Sequence, residues 1–320
     1  MADPVLLGAD DESWLPPDVG GTVATVGSFD GVHRGHQDVL ARLSARAREV
    51  GLRSLLVTFE PHPLEIVNPD VAPHLLTPGR EKLAALAESG VDYVAVVPFT
   101  RTLASYEASQ FVDLVLRDRL RMRELFIGHD HGFGRGRAGD VHVLQQLGAA
   151  RGFRVEVVEP IAADGHAVSS TAIRRAVAGG DLHRAEVGLG RPYGATGTVV
   201  QGEQRGRLLG YPTLNVALPS PRKLLPPEGV YAVRVHTVGG SYGGMLNLGP
   251  RPTFGDATRS LEAHLFDAEG DWYGQTVGVD FVARLRDTRR FDGVDALVAQ
   301  LGRDAQHARR VLARPAADAR

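Results

Sequence analysis

Two hydrophobic rhythms divide the 320-residue chain. From residue 22 to about residue 190, short apolar runs alternate with stretches whose apolar positions recur every three or four residues. The runs at 22–26, 54–59, 93–98, 125–127 and 154–158 predict strands, and the segments 37–50, 78–89, 106–120 and 140–151 predict helices. Thr77 followed by Pro78 reads as an N-cap and first helical position. Alternation of this kind builds βαβ units around a parallel sheet with helices on both faces.

Beyond Gly190-Arg191-Pro192-Tyr193 the rhythm changes. Strand-like runs at 197–201, 230–237, 245–247, 261–266 and 276–284 are separated by turn signals such as Gly239-Gly240 and Ala268-Glu269-Gly270-Asp271. They predict a compact antiparallel barrel, closed by a helical period over 294–312. The expected order is an N-terminal extension (1–20), a doubly wound α/β domain (21–190), a small antiparallel β-barrel domain with a C-terminal helix (191–313) and a disordered tail (314–320).

Composition narrows the chemistry. There is no cysteine, which excludes disulfides, thiolate catalysis and Cys-ligated metals. A net charge of -2 lacks the basic footprint of a nucleic-acid binder. The acidic, proline-containing start is no signal peptide, and no apolar run is long enough to cross a bilayer. A soluble, cytoplasmic protein with small-molecule partners, and with neither nucleic acid nor membrane among them, is expected; nothing sets its oligomeric state. The two lysines, Lys82 and Lys223, lie outside any P-loop. Lys82 reads as an exposed helix position and Lys223 as part of a proline-flanked loop, so no lysyl intermediate is expected. Phosphate contacts then fall to Arg, His, hydroxyls and backbone N–H groups.

Residues 26–36 read VGSFDGVHRGH and join the first strand to the first helix. Ligands of doubly wound sheets bind at that position. Gly27 and Gly31 admit a phosphate close to the backbone, and the helix start near Gly35 offers unpaired N–H groups and a positive dipole. His33 and His36 are placed to donate to a triphosphate and to stabilise charge on the attacked phosphorus and departing pyrophosphate. A second anion-binding helix start is Ser169-Ser170-Thr171, with Arg174 one turn inside.

The HxGH pattern and the late Ser-Ser-Thr-x-Ile-Arg resemble the nucleotidylyltransferase superfamily. With Gly27-Ser28-Phe29-Asp30-Gly31, Phe59-Glu60-Pro61-His62-Pro63 and the segment Gly128 to Asp140, the chain resembles the bacterial bifunctional riboflavin kinase/FMN adenylyltransferase (FAD synthetase) family. The resemblance implies that His33 and His36 contact ATP phosphates, that Gly27, Ser28, Phe29, Asp30 and Gly31 shape the ATP turn, and that Ser169, Ser170, Thr171 and Arg174 hold the triphosphate. It implies flavin contacts from Pro61, His62, Pro63, Asp130 and Phe133. Ser28 stands where the family often has Asn. His131 and Gly132 replace an aromatic and often a basic residue, so weaker FMN binding is expected there.

In the second half, Gly202 to Asn215 reads GEQRGRLLGYPTLN. Gly206 permits close phosphate approach and Arg205 or Arg207 adds charge. Thr213 and Asn215 offer hard oxygens suited to Mg²⁺. A primary alcohol attacking a γ-phosphate needs a base, and strand alternation puts Glu262 and His264 on one face; from the residues alone Glu262, Glu228 and Asp267 all remain open. This segment resembles the Gly-x-Pro-Thr-x-Asn signature of riboflavin kinases, with Leu214 where Ala is common. The resemblance implies ATP contacts from Gly202, Arg205, Gly206, Arg207 and Thr213, magnesium at Thr213 and Asn215, and Glu262 as the base. It implies ATP, riboflavin and FMN as substrates. The competing readings are a nucleotidylyltransferase for another phosphorylated substrate and a flavin- or nucleotide-binding regulator with weakened catalysis.

Overall fold

The computed structural model describes residues 4–7, 15–129, 132–202, 205–250 and 259–313. The chain divides into two compact units, Met1–Ser169 and Ser170–Arg320.

The first unit carries strands β1 (Val5–Leu7), β2 (Thr22–Val26), β3 (Arg53–Glu60), β4 (Tyr93–Pro98), β5 (Met122–Gly128) and β6 (Arg154–Val158). They form one sheet in the order β1-β4-β3-β2-β5-β6, and every ladder is parallel. A hairpin of β7 (Ala162–Ala163) and β8 (His166–Ala167) follows. The helices are α1 (Arg34–Glu49), α2 (Pro63–Val67), α3 (Arg80–Ala87), α4 (Arg101–Ala104), α5 (Ala108–Gln110) and α6 (Val141–Arg151). Successive residues of the central strands enter opposite cores. Val23 and Leu56 pack with Leu40 and Leu86, whereas Ala24 and Leu55 pack with Leu116 and Leu144. A sheet buried on both faces explains why these strands read as continuous apolar runs. The order reverses between β2 and β5, which opens a crevice at their carboxyl ends.

Three details depart from the expected elements. Residues 5–7 extend the sheet at its edge by pairing with β4. The expected helix over 106–120 is α5 followed by a wider turn, Phe111–Arg119, in which the Leu120 N–H reaches back to the Val115 carbonyl. That winding puts Phe111, Val112, Val115 and Leu116 together in the core. The third departure is at Thr77, whose hydroxyl and N–H are committed elsewhere, as described below, so α3 starts at Arg80 behind Gly79.

The second unit opens with α7 (Ser170–Gly179) and α8 (Leu182–Leu189), which pack together. Strands β9 (Tyr193–Val200), β10 (Leu214–Ala217), β11 (Gly229–Thr237), β12 (Gly240–Pro250), β13 (Arg259–Leu265) and β14 (Thr276–Arg286) close a barrel in the order β10-β13-β12-β11-β14-β9. A short helix, α9 (Arg205–Leu208), precedes β10, and α10 (Val294–Leu312) ends the unit. Leu261, Ala263 and Leu265 of β13 are buried while Ser260, Glu262 and His264 between them are partly exposed, the alternation expected of a strand with one face in a core. Helix α10 covers Ala232, Met245 and Phe266 with Ala308. Lys223 lies in the loop between β10 and β11, as expected, but is buried there, with its ammonium 4.6 Å over the Tyr193 ring.

Candidate active sites

In the first unit, β2 runs into α1 through a tight turn in which Phe29 and Val32 take positive φ values of 48° and 40°. Side chains are strained there, by roughly 1–3 kcal/mol each. Burial of both side chains against Leu40 and Leu43 offsets that strain. Asp30 fixes the turn from beneath. Its buried carboxylate accepts the backbone N–H groups of Leu76 at 3.0 Å and Thr77 at 2.9 Å. The Gly31 N–H in turn donates to the Thr77 hydroxyl at 2.8 Å. Thr77 therefore braces this turn instead of capping α3. Asp30, expected among the ATP contacts, has both carboxylate oxygens on the protein's own amides.

His33 caps α1. Its Nδ1 accepts the His36 N–H at 3.3 Å, which assigns the ring proton to Nε2. The His33 and His36 rings stack with centroids 3.6 Å apart, and Phe29 packs 4.6 Å from His36. A Cβ at Gly35 would lie 3.2 Å from the His33 ring, close enough to push that ring by a few tenths of an ångström. No acidic side chain occupies the first turn of α1, so the helix dipole there is left for an anion.

β3 delivers the segment Glu60 to Pro63. The Glu60–Pro61 bond is cis. His62 caps α2 through Nδ1, which accepts the Leu64 N–H at 3.3 Å, and Glu65 returns the bond to the His62 N–H at 3.2 Å. Pro63 is the first residue of α2. Behind this segment lies Lys82, 6% exposed and not the surface position expected of it. Its ammonium donates to the Phe59 carbonyl at 2.8 Å and the Thr58 hydroxyl at 3.3 Å, and lies 3.6 Å from the Glu60 carboxylate. Burial holds its pKa below the usual lysine value, against the pull of Glu60. Phe133 packs edge-on to Phe111 at 5.1 Å, with its backbone paired to Gly139. Asp130 and His131 lie outside the described residues.

Ser169 is the last residue of the first unit; in the second, Ser170 and Thr171 open α7 and Arg174 follows one turn in. A separate pocket of about 350 Å³ lies beside the barrel, lined among others by Thr213, Asn247, Glu262, His264, Arg289 and Phe291. Register organises it. Asn215 pairs with Glu262, and Glu262 pairs with Asn247, so three polar side chains form one row across β10, β13 and β12. Leu214 pairs with Ala263 on the opposite face, away from that row. Of the three carboxylates left open by sequence, Glu262 lines the pocket. Asp267 is held by Arg309 at 2.6 and 2.9 Å, and that guanidinium lowers its pKa. Glu228 is not among the lining residues.

Thr213 lines the pocket, and its loop is held by His264, whose Nδ1 donates to the Pro212 carbonyl at 2.8 Å. Gly206 lines the pocket, and only glycine fits there, since a Cβ would be 2.4 Å from the Tyr211 carbonyl. Gly202 likewise lies directly against the Asn215 side chain. Arg207 is exposed on α9, which begins at Arg205, and residues 203–204 lie outside the described residues. Sequence reasoning missed the far wall. Arg286 binds the buried Asp304 through three contacts of 2.7–3.1 Å, Gln300 joins Asp304 at 2.7 Å, and Arg289 donates to Gln300. The two guanidiniums flank the Phe291 ring at 5.7 and 4.9 Å. The Arg289-Arg290-Phe291 run was the available signal, but without its partners on α10 it reads as a surface turn.

Two family models match the chain in tandem, FAD synthetase over residues 15–172 and riboflavin kinase over residues 189–312. The bifunctional riboflavin kinase/FMN adenylyltransferase of Pseudomonas fluorescens is 44% identical over 304 residues, covering 95% of this chain and 96% of that protein. The protein of the same description from Escherichia coli K12 is 42% identical over 290 residues, covering 90% and 92%. A solved structure described as a macrolide-efflux protein from Streptococcus pneumoniae superposes with a TM-score of 0.82 at 31% identity, covering 95% of this chain and 99% of that one. Among the described residues no helix is long and apolar enough to cross a membrane.

Proposed function

Because the chain belongs to the bifunctional riboflavin kinase/FMN adenylyltransferase family, we propose that its two sites act in succession on one flavin. The barrel site phosphorylates the ribityl 5′-hydroxyl of riboflavin with ATP, giving FMN and ADP. The β2–α1 site then joins FMN to AMP from a second ATP, giving FAD and pyrophosphate. The observation that carries this reading is the placement of Glu262, on the pocket wall and between Asn215 and Asn247.

In the first step the 5′-oxygen attacks the γ-phosphorus, the bond to the β-phosphate oxygen breaks, and Glu262 takes the hydroxyl proton. An aliphatic hydroxyl is a poor nucleophile while it keeps its proton, so a carboxylate within reach contributes roughly 10²–10⁴-fold. Leu297, Leu301 and Phe291 give the pocket an apolar side suited to a planar ring. Thr213 lines the pocket and Asn215 pairs with Glu262, and their neutral oxygens would suit a Mg²⁺ ion. When bound, that ion supplies charge neutralisation for the ATP phosphates. Gly202, Arg205, Gly206 and Arg207 keep their place as candidates for the loop that borders ATP.

In the second step an FMN phosphate oxygen attacks the α-phosphorus in line and pyrophosphate leaves. No protein nucleophile is required, so the work is positioning and electrostatic stabilisation. The Nε2–H of His33, the His36 ring and the N–H groups of the α1 start suit the growing charge on the phosphates. Ser169, Ser170, Thr171 and Arg174 are assigned to the triphosphate, and Pro61, His62, Pro63, Asp130 and Phe133 to the flavin side. Incubating the protein with riboflavin, ATP and Mg²⁺ and separating the flavins tests the reading. FMN must appear first and FAD after it; a protein that yields neither refutes it.

A further inference from the structure

Lys82 belongs to none of the motifs that the two reactions use, yet it is a cation buried to 6% exposure at the carboxyl end of β3. An ammonium is costly to desolvate, and the fold holds this one in place with a defined set of partners. The Thr58 hydroxyl accepts from Lys82 at 3.3 Å and itself donates to the Ser28 carbonyl at 3.2 Å. The same ammonium donates to the Phe59 carbonyl at 2.8 Å and faces the Glu60 carboxylate at 3.6 Å. One group thus ties together two segments far apart in sequence. Ser28 lies in the turn before α1, and Glu60 opens the Pro61-His62-Pro63 segment.

We infer that Lys82 is a positioning residue for adenylyl transfer, setting the distance between the ATP turn at Ser28 and the flavin-side segment after Phe59. The inference rests on the assignment of those segments to the two substrates. In-line attack requires the reacting atoms to be held at about 3–3.5 Å, and a displacement near 1 Å costs on the order of 10²-fold. Two hydrogen bonds and an ion pair radiating from one buried atom limit such drift. The Thr58 hydroxyl passes the constraint on to Ser28, and the Phe59 carbonyl passes it to the segment that follows.

The test uses the full chain and reads FMN adenylylation with riboflavin phosphorylation as the internal control. Lys82→Met, close in length but uncharged, is expected to raise the KM for both ATP and FMN and to lower kcat/KM by roughly 10–10²-fold, with phosphorylation within about twofold of wild type. Thr58→Val, which keeps shape but removes the relay, is expected to raise the KM for ATP more than that for FMN, and Thr58→Ser, which keeps the hydroxyl, to restore it. The inference is overturned if Lys82→Met and Thr58→Val both transfer adenylyl groups at the wild-type kcat/KM. It also fails if the lost activity is matched by a loss of folded protein measured by circular dichroism, or if Thr58→Ser is as impaired as Thr58→Val. A wild-type protein that forms no FAD would instead refute the underlying functional reading.

Discussion

Asn215 and Glu262 face each other across the β10–β13 ladder, and Asn247 faces Glu262 from the other side. Neutral amides thus flank this carboxylate on both sides, and neither adjacent strand carries a competing cation. Asp267, by contrast, spends its charge on Arg309.

Glu262→Gln preserves size and hydrogen bonding but removes the base. Riboflavin phosphorylation should fall by roughly 10²–10⁴-fold while riboflavin and MgATP still bind. FMN supplied from outside should still be converted to FAD. Near-normal phosphorylation by this variant would remove Glu262 from the mechanism.

His33 both caps α1 and faces the expected phosphate site, and two substitutions separate these roles. Asn is a good N-cap, so His33→Asn should retain thermal stability. Adenylyl transfer should still drop by about 10²–10³-fold, the loss typical of one transition-state donor. His33→Ala should lose the same activity and about 1 kcal/mol of stability as well. Full activity in His33→Asn would show that the histidine is there for the cap.

His264 acts at the barrel pocket through Pro212. His264→Leu frees the Pro212 carbonyl and with it the Thr213 loop, so the KM for MgATP in phosphorylation should rise about tenfold, equivalent to roughly 1.4 kcal/mol. His264→Asn, with an amide nitrogen near the position of Nδ1, should recover much of this. Equal KM values for all three proteins would exclude the contact from ATP binding.

Arg46 binds Glu124 with two bonds of 2.8 Å, joining α1 to β5, and that guanidinium holds the Glu124 carboxyl below its ordinary pKa. A carboxyl depressed in the folded state stabilises the fold at pH above its unfolded value, about 4.3, and this contribution fades as pH falls through the folded value. Glu124→Gln should therefore cost about 1–2 kcal/mol at pH 7 and progressively less toward pH 3. Urea unfolding midpoints of the two proteins at several pH values read this directly; a gap that stays constant with pH would contradict the assignment.

Sequence alone determined the elements with a strong local rhythm. Strands β2, β4 and β6 fall on the expected residues because each is a continuous apolar run buried on its sheet, and α10 follows its helical period from Val294 to Leu312. The glycine turn before His33 and His36 was also legible, since its backbone needs and the spacing of its rings are local properties. Strands β1 and β10, with three and four residues, are too short to show a period. What tertiary structure decided involves partners distant in the chain. Thr77 could not be read as a brace for Gly31 until β2 and the segment before α3 lay side by side. Lys82 sits in an Arg80-Glu81-Lys82-Leu83 stretch that signals a solvated face, and only the packing of α3 against the end of β3 buries it. Glu262 could not be told from Glu228 and Asp267 by residue type. Barrel closure separated them, because strand register, a long-range property, aligns Asn215, Glu262 and Asn247 in one row and leaves Asp267 at the strand's end with Arg309.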